Sequence, residues 1–494
     1  MNTPLRRLSL VVALLFALLL GSATWVQFVD AGDLRDDPRN SRTLLAELGR
    51  DRGPITAATG EVLAESVPAE GPIAYRRTYP GDPSAATWAH VTGFYSVVYG
   101  ATGVEDALGS LLAGTADELF YRRLSDLVTG REPSGASVEL TLQPEVQEAA
   151  AAALGDQRGA VVALEPSTGR VLAMVSSPSY DPGELASLDT EEVRQAYARL
   201  LEDDTDPLVN RAVAGDLYPP GSVFKLVTAA AALETGDYTP QSVLPGPAEL
   251  PLPLTTISLP NVSGEACGPG DEVSLADALR ISCNTAFGSL GLTLPVGAVA
   301  DEAAELGFGR ALQVPLRVTP STYPEDLDEP QRALAAIGQG SVRVTPLQVA
   351  MVSAAIANDG VLMAPQMVGS VNAEDLSVVD APEPRELGRA MSEDTAAALT
   401  QMMELVVQDG TGTAAQISGV DVAGKSGTAE VGDTDGDGTP EDPHAWFTAF
   451  APAQDPQVAV AVVVENGGDA GSEASGGRTA APIARQVVEA VIGR

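Results

Sequence analysis

The feature that most constrains this chain is an uncharged apolar stretch at its N-terminus, residues 8–28. At a rise of about 1.5 Å per residue, a helix of this length spans about 30 Å, the thickness of the hydrocarbon core of a bilayer. Arg6 and Arg7 precede the stretch, and several aspartates follow it. Because positive residues mark the cytoplasmic end of membrane helices, the pattern predicts a cytoplasmic tail at residues 1–7, a single transmembrane anchor and an exported remainder. A cleaved signal peptide, cut near residues 21–23, is the alternative.

The charge balance limits the possible partners. The chain has a formal net charge of -38 and an isoelectric point near 4.2, and its acidic residues are scattered along the sequence. Such a chain repels phosphate, which excludes nucleic acid as a partner and favours a solvated acidic surface. Histidine is limited to His90 and His444. This leaves little material for histidine-based catalysis or a histidine-rich metal site, and we expect no cofactor.

Two residue types are scarce enough to be informative. Of the 29 basic residues only Lys225 and Lys425 are lysines, and the others are arginines. An ammonium group can lose its proton when burial lowers its pKa, whereas a guanidinium effectively cannot, so acid–base chemistry is a reason to keep two lysines. The cysteines are Cys267 and Cys283, which predict a disulfide in an oxidising compartment. Two free buried thiols are the alternative.

The part of the chain beyond the anchor divides by composition near Thr141. Residues 29–140 mix short apolar runs with turns. After them, GAVVALE and RVLAMVS predict a β-hairpin, and AWFTAFAP and QVAVAVVVE predict two further strands near the C-terminus. Strands at both ends of the 141–494 region predict an α+β domain whose sheet joins distant parts of the chain. Helices are predicted at residues 222–234, 272–292 and 344–358, and from Pro482 onward.

The first motif with chemical meaning is Ser222-x-x-Lys225, which follows two prolines and a glycine. Those residues disfavour helix, so a helix is expected to begin near Ser222, with both side chains on one face of its first turn. Serine needs an adjacent base to become a nucleophile, and a lysine with a lowered pKa can be that base. An ordinary helix start, with Ser222 as N-cap and a solvated Lys225, is the alternative.

Two other short motifs fit the same chemistry. Lys425 heads the sequence KSGT, in which a glycine permits close approach of a substrate backbone and two hydroxyls offer donors to a carboxylate. Its charge can also lower the pKa of Lys225. Ser282 and Asn284 can face one site if the backbone is irregular between them. A β-turn with an exposed lysine and a simple helix end are the alternatives.

In order, S-x-x-K, S-x-N and K-S-G-T resemble the three active-site motifs of the penicillin-binding protein and serine β-lactamase superfamily. Longer segments are similar to class B penicillin-binding proteins, the actinobacterial ones above all. The resemblance covers most of residues 50–450 and implies a pedestal domain at 29–140 and a transpeptidase domain at 141–494, the latter an antiparallel sheet flanked by helices. The segments are RGPITAATGEVLAES, AHVTGFYSVVYGATGVEDAL, GAVVALEPSTGRVLAMVSSPSYDPG, NRAVAGDLYPPGSVFK and IGQGSVRVTPLQVA.

By this resemblance the chain is a peptidoglycan D,D-transpeptidase, and each motif residue has a role in it. Ser222 attacks the D-Ala-D-Ala carbonyl of one stem peptide, Lys225 takes its proton, and Ser282 passes a proton to the departing D-Ala amine. The backbone N–H groups of Ser222 and Thr428 form the oxyanion hole. The remaining catalytic residues are Asn284 and Lys425, and the substrate-binding residues are Ser426, Gly427 and Thr428.

The same resemblance implies the partners: peptidoglycan stem peptides on their lipid-linked precursor, β-lactam antibiotics that mimic D-Ala-D-Ala, and a membrane glycosyltransferase of cell division or elongation. Three alternatives share the motifs. A D,D-carboxypeptidase uses water as the acceptor, a β-lactamase hydrolyses its acyl-enzyme quickly, and a non-catalytic scaffold or β-lactam sensor only binds.

The acidic loop at residues 433–437 resembles the start of a calcium-binding loop, DTDGD. The position where such a loop needs a bidentate glutamate holds His444, and Glu441 is the nearest substitute. We therefore predict an acidic surface loop and no metal site.

Overall fold

The computed structural model describes residues 2–30, 50–71, 73–80, 84–119, 134–432 and 440–493. Its first element is the α-helix Asn2–Thr24, which continues as a π-helical turn, Trp25–Val29. The apolar span Arg6–Phe28 within it is long enough to cross a membrane, and none of it is buried against the rest of the chain. Within the described part of the chain it is the one helix with this property. A helix that exposes an unbroken apolar surface is compatible with the predicted membrane anchor.

Residues 50–140 contribute four strands to a six-stranded sheet, which we call the pedestal sheet. The strands lie in the order Val378–Asp380, Val368–Asn372, Ser137–Leu140, Ile55–Thr56, Val62–Pro68 and Tyr75–Thr78. The first two come from far along the chain, and Val368–Asn372 pairs antiparallel with Ser137–Leu140. The two regions on either side of residue 141 therefore share one sheet. The predicted boundary at residues 140 and 141 stays a prediction.

The second sheet, which we call the central sheet, has five antiparallel strands. Their order is Ala423–Ala429, His444–Ala451, Val458–Val464, Gly159–Leu164 and Val171–Ser177. The hairpin predicted after Thr141 and the two strands predicted near the C-terminus thus lie side by side. The strand Ala423–Ala429, which contains KSGT and is called the KSGT strand below, lies at one edge.

Alternation along the central strands divides the hydrophobic core into two layers. Val161 belongs to the cluster that contains Val488 of the C-terminal helix, whereas its neighbour Val162 belongs to the cluster that contains Leu226 and Ala350 on the other face of the sheet. Neighbouring residues of a strand point to opposite faces, so a strand covered on both sides is apolar at every position. All residues of Gly159–Leu164 and of Val458–Val464 are buried. The turn Gly221–Phe224, which carries Ser222, contacts two strands of this covered sheet, the KSGT strand and His444–Ala451.

The predicted helices form, with corrections at two of them. The first turn of the helix predicted at 222–234 is a 3₁₀ turn, and the helix predicted at 272–292 begins with a strand, Glu272–Ser274. The helix predicted at 272–292 is wrong at its centre, because it is broken into Leu275–Arg280 and Asn284–Thr293 by a turn around Ser282. The remaining short strand pairs join Tyr95–Ser96 with Gly100–Ala101, Val243–Pro245 with Glu272–Ser274, Glu249–Pro251 with Ser258–Pro260, Leu312–Gln313 with Arg317–Val318, and Val361–Met363 with Glu386–Arg389. The other described α-helices are Ser84–Thr92, Gly103–Ala107, Gly109–Leu112, Pro144–Leu154, Pro182–Leu185, Thr190–Glu202, Lys225–Glu234, Ala298–Glu305, Glu329–Ala335, Pro346–Ala357, Glu393–Asp409 and Ala481–Ile492.

Candidate active site

Ser222 lies in a tight turn that is pressed against the KSGT strand. A 3₁₀ turn, Gly221–Phe224, leads directly into the α-helix Lys225–Glu234. Gly221 has a φ of +54°, and a Cβ atom placed on it would lie 2.6 Å from the carbonyl oxygen of Thr428. Only glycine tolerates both the left-handed conformation and this approach. The local sequence therefore places the half-buried Ser222 beside the strand that carries Thr428.

Lys225 is completely buried and points at the turn around Ser282. Its Nζ donates to the Ser282 carbonyl oxygen (2.8 Å) and to Asn284 Oδ1 (2.8 Å), and it lies 3.3 Å from Ser282 Oγ. Burial, and then the charge of Lys425, lower the pKa of Lys225 well below its usual value. A neutral amine has two N–H donors and one lone pair. Since the carbonyl and the amide can take both donors, the lone pair of the neutral amine remains available as a proton acceptor.

Lys425 is the second completely buried amine of the site. Its Nζ lies 3.0 Å from Ser282 Oγ and 2.7 Å from the carbonyl oxygen of Ser426. Burial lowers the pKa of Lys425 to about 7. The Ser282 hydroxyl therefore lies between two amines and is placed to relay a proton between them.

The Ser282 backbone is strained in a way that explains the broken helix. Ser282 has a φ of +60°, the left-handed region that side chains other than glycine rarely adopt. Its N–H donates to Leu279 O (3.2 Å), and the next N–H, of Cys283, donates to Ala278 O (2.8 Å). This turn reverses the chain so that Ser282 and Asn284 both face Lys225, the irregular backbone that the sequence required.

The KSGT strand presents an edge to the cleft. Among the described strands it pairs with His444–Ala451 alone, so an extended peptide can lie along its other side. A Cβ atom on Gly427 would lie 3.0 Å from the side chains of Val223 and Trp446, which shows how tightly the Ser222 turn packs on the strand. Trp446 also donates from Nε1 to Pro219 O (3.1 Å) and so fixes the entry to that turn.

Comparison with known proteins agrees with this geometry. A model of the penicillin-binding protein transpeptidase domain matches residues 159–489, and a model of the penicillin-binding protein A dimerisation domain matches residues 52–138. The chain belongs to the penicillin-binding protein transpeptidase family. The predicted family, class B, and the predicted α+β fold with a pedestal are confirmed, and so is the assignment to the transpeptidases.

Relatives of this penicillin-binding protein span its whole length. It is 47% identical to the peptidoglycan D,D-transpeptidase PbpA of Mycolicibacterium smegmatis and 45% identical to that of Mycobacterium tuberculosis, in both cases over 100% of this chain and 99% of the relative. The ceftriaxone acyl-enzyme of penicillin-binding protein A from M. tuberculosis is a similar solved structure. It has 43% sequence identity and a TM-score of 0.86, over 91% of this chain and 100% of that one.

The structure of this penicillin-binding protein also contains a site residue that the sequence analysis missed. Asn261 is buried, and its Oδ1 accepts hydrogen bonds from the backbone N–H groups of Asn284 (3.0 Å) and Thr285 (3.0 Å). Its Nδ2 donates to the carbonyl oxygens of Pro247 (2.9 Å) and Glu265 (2.9 Å). Asn261 thus caps the helix Asn284–Thr293 from a distant loop. No motif in the sequence marks it.

The two cysteines lie at the same turn. Cys267 and Cys283 form a disulfide, so the residue between Ser282 and Asn284 is covalently tied to a neighbouring loop. Together with the Asn261 side chain, this bond holds the turn that brings Ser282 and Asn284 to Lys225.

The acidic segment 433–437 lies outside the described residues. His444 is buried at the start of a central strand, where its Nδ1 accepts from the Asn466 N–H (3.1 Å) and burial lowers its pKa to about 4. Within the part of the chain that the structure describes, no group of three or more histidine, cysteine, aspartate or glutamate residues is placed to hold a metal ion. The absence of calcium binding stays a prediction.

Proposed function

We propose that this penicillin-binding protein is a membrane-anchored peptidoglycan D,D-transpeptidase in which Ser222 is the nucleophile and Lys225 its general base. One observation carries the assignment of residues. The amines of Lys225 and Lys425 are completely buried and lie on either side of the Ser282 hydroxyl. Of the two, Lys225 follows Ser222 by one turn in the chain. Burying two ammonium groups side by side costs far too much unless at least one is neutral. A neutral amine at this position is what a serine nucleophile needs.

In the acylation step, Ser222 Oγ attacks the carbonyl carbon of the D-Ala-D-Ala peptide bond while its proton passes to the Lys225 amine. The negative charge that develops on the carbonyl oxygen is stabilised by the backbone N–H groups of Ser222 and Thr428. Gly221 allows the close approach of these two residues. The carbon–nitrogen bond then breaks, and the departing D-Ala amine receives a proton through the Ser282 hydroxyl.

The substrate's terminal carboxylate is held at the KSGT strand by the hydroxyls of Ser426 and Thr428. The Lys425 side chain projects from the strand towards Ser282. Its pKa of about 7 lets it carry a positive charge at the lower end of the neutral range. That charge attracts the carboxylate and also helps to keep Lys225 neutral.

In the second step, the amine of a neighbouring stem peptide attacks the ester carbon of the acyl-enzyme and gives up one proton to the neutral Lys225 amine. The bond between the carbonyl carbon and the Ser222 oxygen then breaks, and Lys225 returns that proton to the Ser222 oxygen. The product is a new peptide bond between two stem peptides. If water attacks instead, the product is a shortened stem peptide, and the enzyme is a D,D-carboxypeptidase. Transfer is favoured because the two full-length relatives at 47% and 45% identity are peptidoglycan D,D-transpeptidases.

The proposal includes the topology and one partner. The anchor crosses the membrane once, with Arg6 and Arg7 on the cytoplasmic side and the two sheets outside, because positive residues stay in the cytoplasm. A reporter enzyme fused after residue 494 is expected to be active outside the cell, and activity inside would reverse the orientation.

The family resemblance adds a membrane glycosyltransferase as partner. Cross-linking in intact cells, followed by mass spectrometry, is expected to recover it, and cross-linked complexes without such an enzyme would argue against it.

A fluorescent penicillin tests the assignment of the nucleophile. Covalent labelling is expected for the full chain and not for Ser222→Ala, and mass spectrometry is expected to locate the label on the peptide that contains Ser222. A melting curve for the variant that matches the parent shows that the loss is chemical. Labelling of Ser222→Ala would place the nucleophile elsewhere, and an unlabelled parent chain would favour the non-catalytic scaffold.

The acceptor is tested separately with a D-Ala-D-Ala peptide and an added amine. Cross-linked product is expected to exceed the hydrolysed product, and the penicillin adduct is expected to persist. Hydrolysis without transfer would identify a carboxypeptidase, and rapid release of the penicillin would identify a β-lactamase.

A further inference from the structure

A threonine outside the three motifs is in direct contact with the KSGT strand. Thr411 follows the long helix Glu393–Asp409, and its Oγ1 lies 2.6 Å from Ser426 Oγ. Ser426 is buried, with 6% of its surface exposed, whereas Thr411 is exposed to solvent. The Thr411 hydroxyl is therefore open to a ligand on one side and bonded to the KSGT strand on the other.

The turn that carries Thr411 is held in place by the segment that leads to Ser282. The Thr411 N–H donates to Arg280 O (3.2 Å), and Arg280 Nη1 donates to Asp409 O (2.9 Å). A Cβ atom on Gly410 would lie 2.5 Å from Arg280 O, so the two segments are as close as a glycine allows. The position of the Thr411 hydroxyl is thus fixed relative to the active site.

We propose that Thr411 is a third hydroxyl of the site that binds the terminal carboxylate of the substrate, beside Ser426 and Thr428. The proposal rests on the proposed role of the KSGT strand. A serine hydroxyl has one proton, and in the contact between Thr411 and Ser426 either oxygen can be the donor. If Thr411 donates, the single proton of Ser426 is free to be donated into the cleft.

A bound carboxylate selects that arrangement. Hydrogen bonds to a charged acceptor are stronger than those between neutral groups. The carboxylate therefore accepts a hydrogen bond from the Ser426 hydroxyl, and Thr411 becomes the donor to Ser426. When the Thr411 hydroxyl donates to Ser426 Oγ, it polarises the Ser426 O–H bond. The hydrogen bond from Ser426 to the carboxylate becomes stronger as a result.

The charges around the cleft explain why such a hydroxyl is needed. Lys425 is completely buried and its ammonium faces Ser282 and the Ser426 carbonyl, below the strand. Arg280, whose carbonyl oxygen accepts from the Thr411 N–H, has its guanidinium engaged with Asp277 (2.9 Å) and Asp409 (3.6 Å). In a chain with a net charge of -38, an anionic group is bound only where donors are dedicated to it.

The test compares a penicillin with its methyl ester, which has the same reactive ring and no negative charge. The second-order rate constant for acylation of Ser222 is measured for the full chain, Thr411→Val, Thr411→Ser and the matched control Thr413→Val. Thr413 is an exposed threonine in the same turn. For the free carboxylate, Thr411→Val is expected to lower the rate constant by about tenfold to a hundredfold, the effect of one hydrogen bond to a charged group. For the ester, the four proteins are expected to agree within about twofold, and Thr411→Ser is expected to restore most of the loss.

Each other outcome is decisive. If Thr411→Val slows the acid and the ester equally, the threonine has a structural role and the proposal is wrong; if it slows neither, the contact with Ser426 has no role in binding. If the parent chain does not distinguish acid from ester, the carboxylate site at the KSGT strand fails and the proposal fails with it. Labelling of Ser222→Ala would refute the proposed nucleophile alone.

Discussion

The sharpest consequence of the structure concerns the coupling between the two buried amines. Both lie close to the Ser282 hydroxyl, at 3.3 Å for Lys225 and 3.0 Å for Lys425, so the two nitrogens are at most about 6.3 Å apart, the total of the two contacts. Two unit charges at that distance repel by roughly 2.6 kcal/mol at an effective dielectric constant of about 20. That repulsion changes the protonation equilibrium of the Lys225 amine on the order of a hundredfold.

Lys425→Gln removes the charge and is expected to leave Lys225 protonated more often. The pH dependence of the loss of activity in this variant follows from the pKa of Lys425, which burial lowers to about 7. Below about pH 7 Lys425 is charged and keeps Lys225 neutral, so the variant loses the most activity there, on the order of a hundredfold in the acylation rate constant. Above that pH Lys425 is itself neutral, so the ratio between parent and variant is expected to shrink towards pH 9.

The chain offers a direct measurement, because Lys225 and Lys425 are its two lysines. With ¹³C at the ε-carbons of lysine, the parent gives two side-chain resonances, and Lys425→Gln leaves the one from Lys225. Its chemical shift is followed against pH, together with the rate of labelling by penicillin. A ratio of rates that is constant from pH 6 to pH 9 would refute the electrostatic coupling. A Lys225 resonance in its charged form at neutral pH in the parent would refute the base itself.

Further predictions follow from single contacts. Gly221→Ala is expected to destabilise the chain by about 1–2 kcal/mol, because an alanine is strained at positive φ. It is also expected to slow acylation more than tenfold by moving Ser222 away from the KSGT strand. An unchanged rate of acylation would argue against the oxyanion hole. Asn261→Ala removes the acceptor of the Asn284 and Thr285 N–H groups and is expected to lower the free energy of unfolding in urea by about 3 kcal/mol. Asn261→Asp keeps the acceptor and is expected to lose less. Reduction of the disulfide between Cys267 and Cys283 is expected to cost about 3 kcal/mol and to slow acylation, and the same rate with and without dithiothreitol would exclude its role in holding the turn. Millimolar calcium is expected to leave the melting temperature unchanged, and a rise of several degrees would show that the loop at residues 433–437 binds it.

The sequence predicted the parts of the site in which chemistry is concentrated in side chains. Two lysines in a chain of arginines, each beside a serine, already indicated Ser222, Lys225 and the KSGT strand. The continuous apolar runs of the central strands likewise predicted their existence, because strands buried on both faces have this local signature. The pairing of Val368–Asn372 with the pedestal sheet has no such signature, since it depends on contacts between residues more than two hundred positions apart.

The same reasoning explains why Asn261 and Thr411 were not predicted. Both act through hydrogen bonds to other active-site groups, and an isolated asparagine or threonine in a loop is unremarkable in a sequence. Asn261 was detectable only once the backbone of Asn284 was placed, and Thr411 only once Ser426 was. Residues that act by positioning other active-site residues are therefore the hardest functional residues to predict from the sequence.

The strained turn at Ser282 connects these observations into one physical account. A left-handed serine costs about 1–2 kcal/mol and persists only where the surroundings hold it. Here the disulfide at Cys283, the cap from Asn261 and two backbone hydrogen bonds hold it from several directions. The cost is met when the chain folds, so no reorganisation is needed when the substrate arrives. A hydroxyl fixed between two amines in this way can relay a proton at once, and loosening any one of its supports is expected to lower the rate of acylation more than the stability of the fold.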